Sequence, residues 1–134
     1  MHTARPVFIS VLFISVLLAS SLASARSPEV GDVVFAKWEE VGWYHGKIDG
    51  RCDGGFHVLF DDKDKGCIKA ADLALDRVPE PEQVRVGVRV LARWDDGRFY
   101  PGKVAEIKGR SALIAYDDGD KGEAGIGDLR IIGY

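Results

Sequence analysis

The stretch Gly87-Val88-Arg89-Val90-Leu91-Ala92-Arg93-Trp94-Asp95-Asp96-Gly97-Arg98-Phe99-Tyr100-Pro101-Gly102-Lys103-Val104 decides the reading of this chain, because its pattern occurs twice. Setting Val30-Gly31 against Val86-Gly87, a shift of 56 residues, brings Val34, Ala36 and Trp38 onto Val90, Ala92 and Trp94. Without a gap, Tyr44, Gly46 and Lys47 then meet Tyr100, Gly102 and Lys103, and Asp61-Asp62 meets Asp117-Asp118. Asp64-Lys65-Gly66 falls on Asp120-Lys121-Gly122, and Asp72-Leu73 on Asp128-Leu129. So many ungapped identities mark a duplication. The period is longer than that of most solenoid repeats and fits two copies of one small domain. The copies are expected at 29–76 and 85–134. The linker 77–84 carries Pro79 and Pro81 and should be short and stiff.

Each copy reads as short strands. Val33–Trp38 and Val88–Trp94 are rich in strand formers, and polar and apolar residues alternate in the second. Asp96-Gly97 is a hairpin signal, and Glu39 to Gly42 takes its place in the first copy. Second strands are expected at Trp43–Ile48 and Phe99–Ile107, and third strands at Phe56–Phe60 and Ala112–Tyr116. An Asp-rich turn leads to short fourth strands near Cys67–Lys69 and Glu123–Ile126. A 3₁₀ turn at the closing Ala-Asp-Leu and Gly-Asp-Leu steps then leads to a fifth. Five short strands hide their edges by curling into a barrel. A core this small is marginal alone, which favours packing of the two copies on each other.

The N-terminal segment has a different composition. Arg5 precedes a charge-free run from Val7 to Ala23, and Ala23-Ser24-Ala25 follows. A basic start, an apolar core and an A-x-A end are the marks of a secretory signal peptide over 1–25, cleaved after Ala25. The run is short of the ~20 residues that span a bilayer comfortably. The protein is therefore expected to be secreted or periplasmic, with no stable membrane span after cleavage.

Composition narrows the function. Eighteen Lys and Arg against 21 Asp and Glu give a formal charge of −3, which argues against a general nucleic-acid binder. His45 and His57 lie in the first copy with no counterpart in the second, so no zinc cluster or catalytic triad is suggested. The turns from Asp62 to Gly66 and Asp118 to Gly122 echo a calcium loop but lack its remaining ligands and its closing Glu. No cofactor is implied, and nothing in the chain supports an enzyme. Cys52 and Cys67 could pair in an exporting pathway. A fourth strand beginning at Cys67 sets them at opposite ends of the third strand, however, and a five-residue strand spans ~17 Å. A Cys52–Cys67 disulfide is doubtful on this reading, and two free or intermolecular thiols are expected.

The motif Gly87-x-x-Val90-x-Ala92-x-Trp94-x-Asp96-Gly97-x-Phe99-Tyr100-Pro101-Gly102-x-Val104, closing with Tyr116-Asp117-Asp118-Gly119-Asp120 and Asp128-Leu129-Arg130, strongly resembles a Tudor domain of the Tudor/Agenet type. The first copy departs at Glu39-Glu40-Val41-Gly42 and at Lys63, which stands where the second has Gly119. The resemblance implies two five-stranded SH3-like barrels in tandem, an all-β fold. It also implies an aromatic cage for methylated lysine or arginine in each. By position the cages are Trp38, Tyr44, Phe60 and Asp62, and Trp94, Tyr100, Tyr116 and Asp118. Asp64 and Asp120 stand where some family members place a further aromatic, which leaves each cage open on one side. The chemistry agrees: ring faces attract a quaternary ammonium by ~0.5–2 kcal/mol. A neighbouring carboxylate adds charge and accepts any remaining proton. The expected function is thus an exported binding module that docks a methylated or cationic group, a protein or peptide segment, or a small quaternary amine. The competing reading is a protein–protein adaptor with no cage ligand. Export removes the chromatin setting in which such cages usually work.

Overall fold

A computed structural model describes residues 27–40 and 42–133. The expected signal peptide, 1–25, lies outside the described residues. The fold is all-β. The first sheet contains β1 (Val33–Trp38), β2 (Gly42–Cys52), β3 (Gly55–Phe60), β4 (Lys65–Ile68) and β5 (Leu73–Leu75). The second contains β6 (Arg89–Arg93), β7 (Phe99–Lys108), β8 (Ser111–Tyr116), β9 (Lys121–Gly125) and β10 (Leu129–Ile131). The strand orders are β4-β3-β2-β1-β5 and β10-β6-β7-β8-β9, and every pairing is antiparallel. A 3₁₀ turn, Ala70–Asp72 or Ile126–Asp128, precedes the last strand of each.

Alternation drives the folding of each sheet into a barrel. Val34, Ala36, Ile48, Val58 and Leu73 point inward and are fully buried, as are Val90, Ala92, Ile114 and Leu129. The sheets curl on themselves: the ring of Trp38, at the end of β1, lies directly against Gly66 on β4, which β2 and β3 separate from β1 in the sheet. Bulges between Ile48 and Gly50 and between Val104 and Glu106 bend the long second strands and increase their local twist.

The copies pack on each other through faces that an isolated barrel would expose. Ala74 and Leu91 occupy outward positions, between inward neighbours, yet both are fully buried. Phe35 meets Phe99 at 4.9 Å between ring centroids, with the guanidinium carbons of Arg93 and Arg130 at 5.0 and 5.1 Å from the Phe99 centroid. Ala74 forms a bridge with Ile132, and Gly133 N–H donates to the Leu73 carbonyl at 2.9 Å. Arg130 donates to Asp76 at 2.8 Å. In the linker, a 3₁₀ turn at Pro81–Gln83 is closed by reciprocal Glu80 and Gln83 caps. Val84 then enters the second core.

The structure corrects the cysteine expectation. Cys52 and Cys67 form a disulfide, with Cα atoms 6.0 Å apart. β4 begins at Lys65, two residues before the expected start. Being antiparallel to β3, it sets Cys67 opposite His57, near the end of β3 where Gly55 faces Cys52. Both cysteines therefore lie at one end of β3. The corresponding corner of the second copy has Lys108 and Glu123, joined through Ser111. Its hydroxyl donates to the Glu123 carboxylate at 2.6 Å and lies 3.1 Å from the Lys108 carbonyl oxygen.

Candidate functional site

Strand register puts the aromatic positions on one face of each sheet. Trp38 faces Gly42, Tyr44 faces Ala36, and Phe60 faces Gly46, so all three aromatics belong to the inner face of their sheet. Trp38 and Phe60 meet edge to face at 5.1 Å and 82°. In the second copy Trp94 and Tyr116 repeat the contact at 5.0 Å and 89°. The members differ in access. Phe60 and Tyr116 are 4% and 7% exposed and belong to the cores, whereas Tyr44 and Tyr100 are 47% and 37% exposed. The accessible rings at each mouth are thus the tyrosine of the second strand and the half-buried tryptophan.

Gly66 and Gly122 are components that the sequence reading passed over. A Cβ on Gly66 would stand 2.4 Å from Trp38 Cζ3, and one on Gly122 would stand 3.1 Å from Trp94 Cζ3 and 3.3 Å from a Tyr116 ring carbon. Each indole needs a bare backbone to lie on. The only sequence signal was their matched place in the repeat. Gly42 serves Tyr44 similarly, lying beneath its ring. Its counterpart is Arg98, and Tyr100 instead donates its hydroxyl to Asp96 at 2.5 Å. That hydrogen bond is the main cause that holds the Tyr100 phenol above, and the Asp96 carboxyl below, their ordinary ranges.

The acidic turns divide their carboxylates between two tasks. Asp62 and Asp118 accept the backbone N–H groups of Asp64 and Asp120 at 3.0 and 2.9 Å, fixing the turn. The preceding aspartates reach the other way: Asp61 to His45 at 2.7 Å, and Asp117 to both terminal nitrogens of Arg89. At the second mouth the field is negative. Burial, followed by the charges of Asp95 and Asp118, pushes the Tyr116 phenol up.

Sequence reasoning also missed the space between the barrels. A cleft of about 860 Å³ is lined by Phe35, Trp43, Tyr44 and His45 from the first copy and by Arg98, Phe99, Tyr100 and Pro101 from the second. Lys37, Glu40 and Asp117 add charge. Both exposed tyrosines therefore border one shared cleft. The matched aromatics Trp43 and Phe99, each next to its tyrosine, were the signal for it, on the face that alternation assigns to the outside.

Among the described residues no group of His, Cys, Asp and Glu is arranged to hold a metal. His57 is hydrogen-bonded to Asp49.

No family model matches the chain. Among solved structures it is similar to ADCP1 tandem Agenet domain 3-4, at 21% identity and a TM-score of 0.44, over 77% of this chain and 79% of that one. It is also similar to AGD34 of Arabidopsis thaliana AGDP1, at 22% and 0.45, over 77% and 81%. The tandem tudor domains of Crb2 align at 11% and 0.34, over 79% and 81%.

Proposed function

We propose that this protein is an exported, non-enzymatic binding module that docks a protein segment bearing a methylated or otherwise bulky cation. The cation sits at a barrel mouth, against Trp94, Tyr100 and Tyr116 under Asp118, or against Trp38, Tyr44 and Phe60 under Asp62. The segment that carries it lies in the cleft between the barrels. One observation carries the reading: in each copy a tryptophan and a second aromatic meet edge to face on the sheet face that also bears an accessible tyrosine, and both tyrosines border the cleft. Aromatic faces with a carboxylate nearby attract a methylated ammonium more strongly than water does. Export rests on the N-terminal segment, whose basic start, apolar run and A-x-A end are those of a signal peptide.

The burial of Phe60 and Tyr116 favours a second reading, because it removes one wall of each cage into the core. In that reading the cleft alone binds, and the protein is an adaptor for a segment with no methylated group.

A fluorescence titration with trimethyl-lysine, choline and a trimethyl-lysine peptide separates the two readings. Cage binding gives a saturable change in the native protein that is lost in Trp94→Ala and reduced in Trp38→Ala. A spectrum unmoved by all three ligands removes the cage and leaves the adaptor.

A further inference from the structure

We propose that His45 is a proton-controlled latch on Asp76, the carboxylate that crosses to Arg130 of the second barrel: it holds Asp76 while it is an imidazolium and lets it go when it loses a proton. His45 Nδ1 lies 2.7 Å from Asp61 Oδ2, and Nε2 lies 3.1 Å from Asp76 Oδ2. Carboxylates only accept, and a neutral imidazole has one N–H, so only the doubly protonated ring satisfies both contacts. Removing either proton turns a nitrogen lone pair toward a carboxylate. The longer Nε2–Asp76 contact is the one that yields.

Asp76 is where the signal crosses. Its other oxygen, Oδ1, accepts from Arg130 Nε of the second copy at 2.8 Å. The Arg130 side chain is 11% exposed, and its Nη1 donates to the carbonyls of Gly127 and Leu129, so it is fixed on its own barrel. A second route runs through rings: His45 meets Phe35 edge-on at 5.2 Å, and Phe35 packs on Phe99. Other charged groups surround the pair. Lys37 on β1 and Lys47 on β2 share the outward face with His45. Arg77 follows Asp76 in the chain. From the second copy Arg98 and Asp117 line the same cleft, Asp117 being held by Arg89. Pro101 and Ile132 occupy the positions of His45 and Asp76 in the second copy, so the device exists once.

Burial works against a charge on His45, but the hydrogen bonds and charges of Asp61 and Asp76 outweigh it and raise its pKa. A raised folded-state pKa places the closed latch at acidic pH and its release above ~6.5. An effect on ligand capture rests on the function proposed above, because His45 forms part of the cleft wall. The latch itself does not, and its test uses no ligand.

The test is an NMR titration of the ligand-free protein from pH 5 to 9. The His45 ring and the backbone amides of Phe99, Arg130 and Ile132 are expected to move on one curve with a midpoint above 6.5. The second-copy part of that curve is lost in His45→Gln and kept in His57→Gln. A His45 midpoint at or below 6.5, or second-copy amides that ignore His45 in the native protein, would overturn the proposal. So would a curve that survives His45→Gln.

Discussion

Lys63 and Gly66 show how single residues set the quality of a mouth. Lys63 has a left-handed backbone, φ +77°, where the second copy has Gly119 at φ +94°. That conformation costs a residue with a Cβ about 1–2 kcal/mol. Lys63→Gly is therefore expected to stabilise the protein by about 1 kcal/mol in urea unfolding, since glycine regains part of this but loses more chain entropy. The glycines under the indoles make a graded pair. Gly66→Ala forces a methyl to 2.4 Å from the Trp38 ring and must displace it, whereas Gly122→Ala meets Trp94 at 3.1 Å and needs a few tenths of an ångström. Gly66→Ala should cost about 1–3 kcal/mol, within the range for overpacking, and Gly122→Ala less. Unfolding curves of the two variants, run side by side, check the order.

At the scale of elements, the disulfide takes over a corner that the second copy closes with Ser111. Cys52 and Cys67 are 15 residues apart in sequence. Closing a loop of that size constrains the unfolded chain by about 3 kcal/mol. The double variant Cys52→Ser, Cys67→Ser should lose roughly that much stability while keeping the strand pairing, and thiol titration of the denatured native protein should find no free thiol without reductant. The strands are legible because the duplication lets each copy check the other, and because polar and apolar residues alternate in the second copy from Val88 to Trp94. The fourth strands start earlier than the sequence suggests, because Lys65 and Lys121 look like turn residues but are exposed strand positions. Those two residues at the start of β4 decide which end of β3 Cys67 reaches. The second strand was read short in the first copy because the bulge after Ile48 breaks the alternation that the reading relied on.

In the whole molecule, the packing of one barrel on the other creates the cleft and the charged contacts that cross between copies. Alternation gives which side of a strand is inner; it does not say which outer side meets a second barrel. Phe35 and Leu91 therefore carry no legible role in sequence, while Trp38, Tyr44, Trp94 and Tyr100 do. The charged pairs give stability a two-sided pH dependence. Asp76, whose burial is outweighed by Arg130 and His45, and Asp117, held chiefly by Arg89, have lowered pKa values. Their contributions are present above ~4 and are lost as pH falls through the lowered values. His45 contributes in the opposite sense, fully below ~6.5 and lost as pH rises through its raised value. Thermal unfolding across pH should therefore show greatest stability in the mildly acidic range, with the alkaline side flattened in His45→Gln.

On the proposed function, the barrel mouths and the cleft between them form one recognition surface for a cation-bearing segment. Chemical-shift mapping of the protein with a trimethyl-lysine peptide, beside the same peptide with unmodified lysine, tests it most directly. The methylated peptide is expected to move the Trp94 indole N–H together with the Tyr44 and Tyr100 rings, and the unmodified peptide to bind at least about tenfold more weakly, a difference of ~1.4 kcal/mol within the reach of cation–π contacts. Equal binding of the two peptides, or shifts that bypass both tryptophans and both tyrosines, would contradict it.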